Sequence, residues 1–268
     1  MAILPLPVKA LAIALAASAA AAPAARAGEA ACWYENGVIV VTAEVAGVVG
    51  DYILDTAEPM TQLAITQAEA AGHTSSTLVG DVRLAGVTIR EQAVVVADLD
   101  VRTGLHPTPI AGVIGADVLA GKVLDLGFAP CRVGLWTPRR APAWRGGRTV
   151  PLQPLRRGLY TVTARVSDGS VTRPVRLVPA TGSDAPLRLS DAIATAPGRD
   201  RPEERYPYGV FRPKLSALAV AGYRWEDLAA GLLRSTDAPA DGWLGAPVLA
   251  RFKVRFDFPR RRLLLKRP

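Results

Sequence analysis

The sequence predicts an all-β protein of two similar lobes, and three observations carry that expectation. Half of the residues are hydrophobic but only 6% are aromatic, and runs of Val, Leu and Ala are broken by frequent Gly and Pro. Such runs favour strands and turns over helical bundles. Two segments repeat the same order of short motifs, one in each half of the chain. Between them lies a Pro/Gly/Arg stretch, residues 138–148, that reads as a linker. With 268 residues, the chain is long enough to bury a core in each lobe.

The first 27 residues read as a processing segment rather than structure. Lys9 supplies a positive start, residues 10–22 are almost all Ala, Leu and Ile, and Ala25-Arg26-Ala27 offers a small-x-small cleavage site. The expectation is a signal peptide cleaved after Ala27 and export to the periplasm or outside the cell. The apolar run is too short for a stable membrane span. A lipoprotein reading fits poorly, because Glu29 stands three residues before Cys32, where an apolar residue is usual. Cleavage would remove Lys9 and Arg26 and lower the net charge from +8 to +6.

A basic balance can mark a nucleic-acid or anionic-surface partner. No nucleic-acid motif is present, and the cations are scattered apart from Arg260, Arg261, Arg262, Lys266 and Arg267. That group reads as a solvated run protecting a sheet edge. The two cysteines of the mature chain, Cys32 and Cys131, predict one disulfide in an oxidising compartment. With only His73 and His106 and no Cys/His cluster, the sequence predicts no metal site, and it offers no cofactor motif.

The repeat can be followed element by element. Tyr52-Ile53-Leu54-Asp55-Thr56-Ala57 parallels Leu177-Val178-Pro179-Ala180-Thr181-Gly182, each an apolar strand entering a small-residue turn. A short helical stretch ending in Gly is expected after each: Ala64 to Gly72, and Leu189 to Gly198. Hairpins are expected to turn at Ala85-Gly86 and at Ala221-Gly222. Val113-Ile114-Gly115-Ala116 then parallels Trp243-Leu244-Gly245-Ala246, and each is followed by a Lys-Val strand, an Asp, a Pro turn and a last apolar strand. Loops absorb the unequal spacings cheaply. The units are residues 28–137 and 149–268.

An apolar strand followed by Asp-Thr-small, paired with a later hydrophobic-hydrophobic-Gly, resembles the pattern of aspartic peptidases. Unit length and the closing strand pair look most like the retropepsin-like group, and the tandem resembles the two-lobed, pepsin-like arrangement. The resemblance implies a cleft between the lobes with one Asp from each at its floor. It also implies a hairpin flap over the cleft, with candidates at Thr77 to Thr88 and Val210 to Arg224. In that chemistry two close carboxylates share a proton, one taking a proton from water while the other polarises the scissile carbonyl.

The resemblance implies that Asp55 occupies the catalytic position of the first lobe. It likewise implies buttressing positions for Thr56 and Thr181, and the tight third position of the second loop for Gly182. Two residues depart from the pattern: Ala57 replaces the usual Gly, and Ala180 replaces the second Asp. Other acids fit the second role poorly. Asp184 needs a slipped register, Asp191 falls in the expected second helix, and Asp117, Asp125 and Asp257 read as caps or turn residues. Two readings of function follow. One is a degenerate peptidase or pseudopeptidase whose cleft holds an extended peptide or unfolded protein. The other is an active periplasmic endopeptidase using Asp55 as water-activating base. A monomer is expected, since the second lobe should fill the surface through which single-lobe relatives pair.

Overall fold

The computed structural model describes residues 28–104, 106–168, 171–190, 193, 203–205, 209–233 and 240–268. The expected signal peptide therefore lies outside the described residues. Among those described, no helix is long and apolar enough to cross a membrane.

The first half builds nine strands: β1 (Glu29–Glu35), β2 (Val38–Val45), β3 (Val48–Leu54), β4 (Gln62–Ala64), β5 (Thr77–Leu84), β6 (Val87–Ala97), β7 (Ile110–Ile114), β8 (Val123–Phe128) and β9 (Cys131–Trp136). Three short helices interrupt them: α1 (Ile65–Ala70), α2 (Asp100–Thr103) and α3 (Ala116–Leu119). The second half adds β10 (Arg148–Pro151), β11 (Gln153–Pro154), β12 (Tyr160–Asp168), β13 (Val171–Ala180), β14 (Leu187–Ser190), β15 (Glu203–Arg205), β16 (Gly209–Val220), β17 (Tyr223–Leu233), β18 (Gly242–Gly245), β19 (Lys253–Asp257) and β20 (Arg262–Lys266), with α4 (Ala246–Leu249) after β18.

These strands form two curled sheets. The first has the order β10-β20-β19-β8-β9-β1-β2-β3-β7-β4-β6-β5, with β5 returning to pair with β2. The second has the order β11-β12-β13-β18-β14-β17-β16-β15, with β16 returning to β12. Each sheet thus rolls back on itself and encloses apolar side chains, Tyr52, Leu54 and Ile114 in the first lobe and Leu177, Leu187 and Leu244 in the second. The strands β10, β19 and β20 come from the second half but join the first sheet, where β19 pairs antiparallel with β8. The two lobes therefore share a continuous sheet.

Equivalent strands carry the two loops of interest. β3 runs parallel to β7 with Ile53 opposite Val113 and Leu54 opposite Ile114. β13 runs parallel to β18 with Val178 opposite Trp243 and Pro179 opposite Leu244. In both lobes the central strand lies between the loop-bearing strand and a third strand, β4 or β14. The chain after each loop consequently crosses beneath the returning strand.

The hairpin turns fall where expected. Ala85 and Gly86 have φ of 50° and 74°, Ala221 and Gly222 of 54° and 71°, the left-handed pair that tight two-residue hairpins require. Their position differs from the flap expectation. Val82 and Arg83 of β5 pair with Val45 and Glu44, beside the start of β3. Asp55 follows the other end of that strand, about 23 Å away at the usual rise for seven residues. In the second lobe Ala217 to Ala219 pair with Ser167 to Arg165, likewise beside the start of β13 rather than its end at Ala180. The strands leading into both hairpins are thus paired beside the starts of β3 and β13 rather than beside their ends.

The expected second helix is corrected at its start. Leu189 and Ser190 end β14, held by parallel pairing with β17; of the rest of that stretch, Ile193 alone is described and is helical, and Asp191 lies outside the described residues. The first helix, by contrast, is α1, and Gly72 follows it at φ 82°.

Cys32 on β1 and Cys131 at the start of β9 are joined by a disulfide with a sequence separation of 99. It staples the first strand to the β8–β9 turn inside the first lobe. Asp117, Asp125 and Asp257 sit in structural contacts. Asp117 accepts hydrogen bonds from Thr61 N–H and Oγ1 and from Gln92 Nε2. Asp125, within β8, pairs with Arg255 at 2.5 Å across the shared sheet. Asp257 closes β19 and pairs with Arg262 at 3.0 Å and Arg260 at 3.3 Å.

Candidate active site and interlobe cavity

The ends of β3 and β13 meet in the middle of the molecule. Thr56 N–H donates to Thr181 Oγ1 at 3.0 Å, and Thr181 N–H donates to Thr56 Oγ1 at 3.3 Å. Each hydroxyl then donates to the carbonyl that precedes the opposite Asp or Ala: Thr56 to Pro179 at 2.5 Å, and Thr181 to Leu54 at 2.6 Å. Both threonines are buried, at 5% and 0% exposure. Four reciprocal hydrogen bonds thus lock the two loops in register, and they place Ala180 as the counterpart of Asp55.

Asp55 is 6% exposed. Its Oδ1 accepts from Ala57 N–H at 2.8 Å and from Gly182 N–H at 3.2 Å. The Gly is required here: a Cβ on residue 182 would stand 2.6 Å from the Asp55 carboxyl. Beneath the first loop, Gly115 donates its N–H to Thr61 Oγ1 at 3.1 Å, and a Cβ there would meet the Glu58 carbonyl at 2.8 Å. The Gly of that motif therefore admits the returning loop. In the second lobe Ala246 N–H donates to the Ser183 carbonyl, matching the bond from Ala116 N–H to the Glu58 carbonyl.

At the position that matches Asp55, Ala180 presents a methyl group at 1% exposure. Ala57, Val178 and Ala180 form a small apolar cluster. Among the described residues no other carboxylate hydrogen-bonds to Asp55. Asp184 lines the same cavity but pairs with Arg188 at 3.1 Å.

The partner that Asp55 does have is Arg102. Its Nη2 donates to Asp55 Oδ2, and its Nη1 donates to Glu58 Oε2 at 3.0 Å. Burial pushes the Glu58 carboxyl above the usual range; Arg102 opposes the rise and the Asp55 charge adds to it. Arg102 is carried by α2, whose entry is shaped by Asp98 Oδ1 accepting from the Asp100 N–H at 3.0 Å. Sequence reasoning missed this residue. Its sole local signal is the Asp98-Leu99-Asp100 pattern of a helix start, which says nothing of where the helix docks.

These groups line a cavity of about 470 Å³ between the lobes. Leu99 and Val101 from the α2 segment and Val38 and Ile53 from the first sheet give it an apolar wall. Opposite them stand Gly182, Ser183 and Trp243 from the second lobe. Asp98, Leu99, Val101, Arg102 and His106 line the cavity, and among the described side chains neither expected flap contributes a lining residue. Among the described residues, buried polar atoms on this wall without a hydrogen-bond partner include Ser183 Oγ, Trp243 Nε1 and His106 Nδ1. Each such group costs about 1–3 kcal/mol when left unmade. Burial holds the His106 pKa below its ordinary value, which favours the neutral ring.

The architecture matches solved structures along nearly its whole length. The crystal structure of an aspartic proteinase from Irpex lacteus superposes with a TM-score of 0.55, at 15% identity, over 90% of this chain and 97% of that one. The fold is that of a two-lobed aspartic proteinase. Basic 7S globulin from soybean superposes on the same aspartic-proteinase fold with a TM-score of 0.52, at 12% identity, over 89% of this chain and 94% of that one. No family model and no curated protein matches the sequence. The Asp55 and Ala180 loops both contribute lining residues to the interlobe cavity, Asp55 and Ala57 from one and Gly182 from the other.

Proposed function

We propose that this chain is an exported, monomeric peptide-binding protein built on an aspartic-proteinase cleft that no longer performs the chemistry. The observation that supports it best is the environment of Asp55: a methyl group in place of the second carboxylate and a guanidinium on Oδ2. Peptide hydrolysis on this fold needs two carboxylates sharing one proton. Ala180 can neither give nor take one. Arg102 holds the oxygen that would otherwise take a proton from water. Loss of concerted acid–base help removes a factor of about 100–10,000.

The two departures from the family pattern support each other. A methyl on residue 182 would collide with the Asp55 carboxyl. Ala57 holds the corresponding place in the first loop, and its methyl packs in the cluster that includes Ala180. A carboxylate at residue 180 would meet that methyl. Restoring the dyad therefore takes a pair of changes rather than one.

The test is cleavage of an unfolded protein from acidic to neutral pH. The wild type and Ala180→Asp are expected to be silent. Activity is expected to emerge only in Ala57→Gly/Ala180→Asp, and more strongly with Arg102→Ala added. Wild-type cleavage that Asp55→Asn abolishes would instead establish an active endopeptidase and overturn this proposal.

A further inference from the structure

The cavity between the lobes is acidic although the protein is basic. The chain carries a formal charge of +8. Among the described residues the cavity wall sets four carboxylates, Asp55, Glu58, Asp98 and Asp184, against two guanidinium groups, Arg102 and Arg188. Arg188 pairs with Asp184. Arg102 is divided between Asp55 and Glu58, so that cluster keeps one uncompensated negative charge. Asp98 is exposed and joins no ion pair among the described residues. A buried carboxylate pair sharing a single cation is short of one positive charge.

An independent observation points to a ligand at the same place. Ser183 is 5% exposed, its Oγ has no partner, and it lines the cavity together with Trp243, whose buried Nε1 has none either. Native structures leave few such groups unpaired. The indole N–H can only donate, so its partner must be an acceptor such as a peptide carbonyl. The apolar wall of Val38, Ile53, Leu99 and Val101 suits the alkyl stem of a long side chain. Val101, 60% exposed, stands at the lip.

We propose that the cavity recognises a basic side chain, lysine or arginine, of a peptide lying between the lobes. The charged head meets the Asp55–Glu58–Asp98 side, the stem lies on the apolar wall, and a backbone carbonyl accepts from Trp243 Nε1. This assignment rests on the peptide-binding reading and names the class of ligand it would select.

Calorimetric titration of the full chain tests it. The probes are capped alanine pentapeptides with lysine, leucine or glutamate at the centre, and free agmatine as a cation without a peptide backbone. The lysine peptide is expected to bind at least about tenfold more tightly than the leucine peptide, with the glutamate peptide weakest. Glu58→Gln, and independently Asp98→Asn at its exposed site, are expected to shrink the lysine-to-leucine ratio to about threefold. Trp243→Phe is expected to weaken both peptides alike. Equal affinity for lysine and leucine peptides, or a preference for glutamate, overturns the cation site and leaves peptide binding standing. Agmatine binding as tightly as the lysine peptide, with the leucine peptide silent, overturns peptide binding and keeps the cation site. Absence of heat with every probe overturns both.

Discussion

Thr56 and Thr181 each satisfy two buried backbone groups of the opposite loop. Thr181→Val leaves the Thr56 N–H and the Leu54 carbonyl without partners. The expected loss is about 2–4 kcal/mol in urea melts, while Thr181→Ser, which keeps the hydroxyl, loses far less; equal losses would show that the hydroxyl is not what holds the loops. Gly182→Ala forces a methyl onto the Asp55 carboxyl and should destabilise by about 1–3 kcal/mol. Asp257 gives a pH-dependent case. Burial acts to raise its pKa, but hydrogen bonds from Arg262 and Arg260 outweigh it and hold the carboxyl below its ordinary value of 3.8. Its folded pKa lies below the unfolded one, so its stabilisation is complete above the unfolded value and is lost as pH falls through the folded one. Asp257→Asn should therefore be less stable at neutral pH and show a shallower acid decline below about pH 4 in thermal melts. At this scale the Asp55-Thr56-Ala57 and Ala180-Thr181-Gly182 triplets were legible, because each is a local pattern after an apolar strand. Arg102 was not, because its reach to Asp55 spans 47 residues and depends on how α2 docks.

Strand and turn positions were largely legible, since Val-rich runs and Ala-Gly turns are written in the local chain. Where a hairpin points is decided by pairing, and β2 captures β5 at the end of the lobe remote from Asp55. Among the described side chains the cavity is lined not by those hairpins but by Asp98, Leu99, Val101, Arg102 and His106. Leu189 likewise follows β17 into a strand because pairing overrides a local helical pattern. The disulfide belongs to this scale, since it ties β1 to the start of β9. Replacing Cys32 and Cys131 by Ser should lower stability by about 4–5 kcal/mol in the chain-entropy description. Loss of hydrogen-exchange protection should appear first along β1. Protection lost uniformly, or a change under about 1 kcal/mol, would mean that β1 is held by its pairing with β2 and β9 alone.

At the scale of the whole molecule, the repeat in the sequence marks two units but not how they divide their strands. Pairing between β8 and β19 joins residues from different units, and the Arg255–Asp125 bridge crosses the same seam. No local pattern announces such a partner, because an edge strand reads the same whether its neighbour is near or far in sequence. The residues between the lobes are pinned as well: Arg255 donates to the Pro142 carbonyl at 2.8 Å and lies 4.9 Å from the Trp144 ring. That seam means the covalent link between the halves is dispensable once folding is complete. A sequence-specific protease site placed between the exposed Arg139 and Arg140 should yield two fragments that co-elute as one particle and part only in denaturant. The disulfide cannot account for this, since both its cysteines lie in the first fragment. Expressed separately, each fragment would carry an orphaned edge, β8 or β19, open to self-association; mixed together during refolding, the two should find each other and reassemble the cleft.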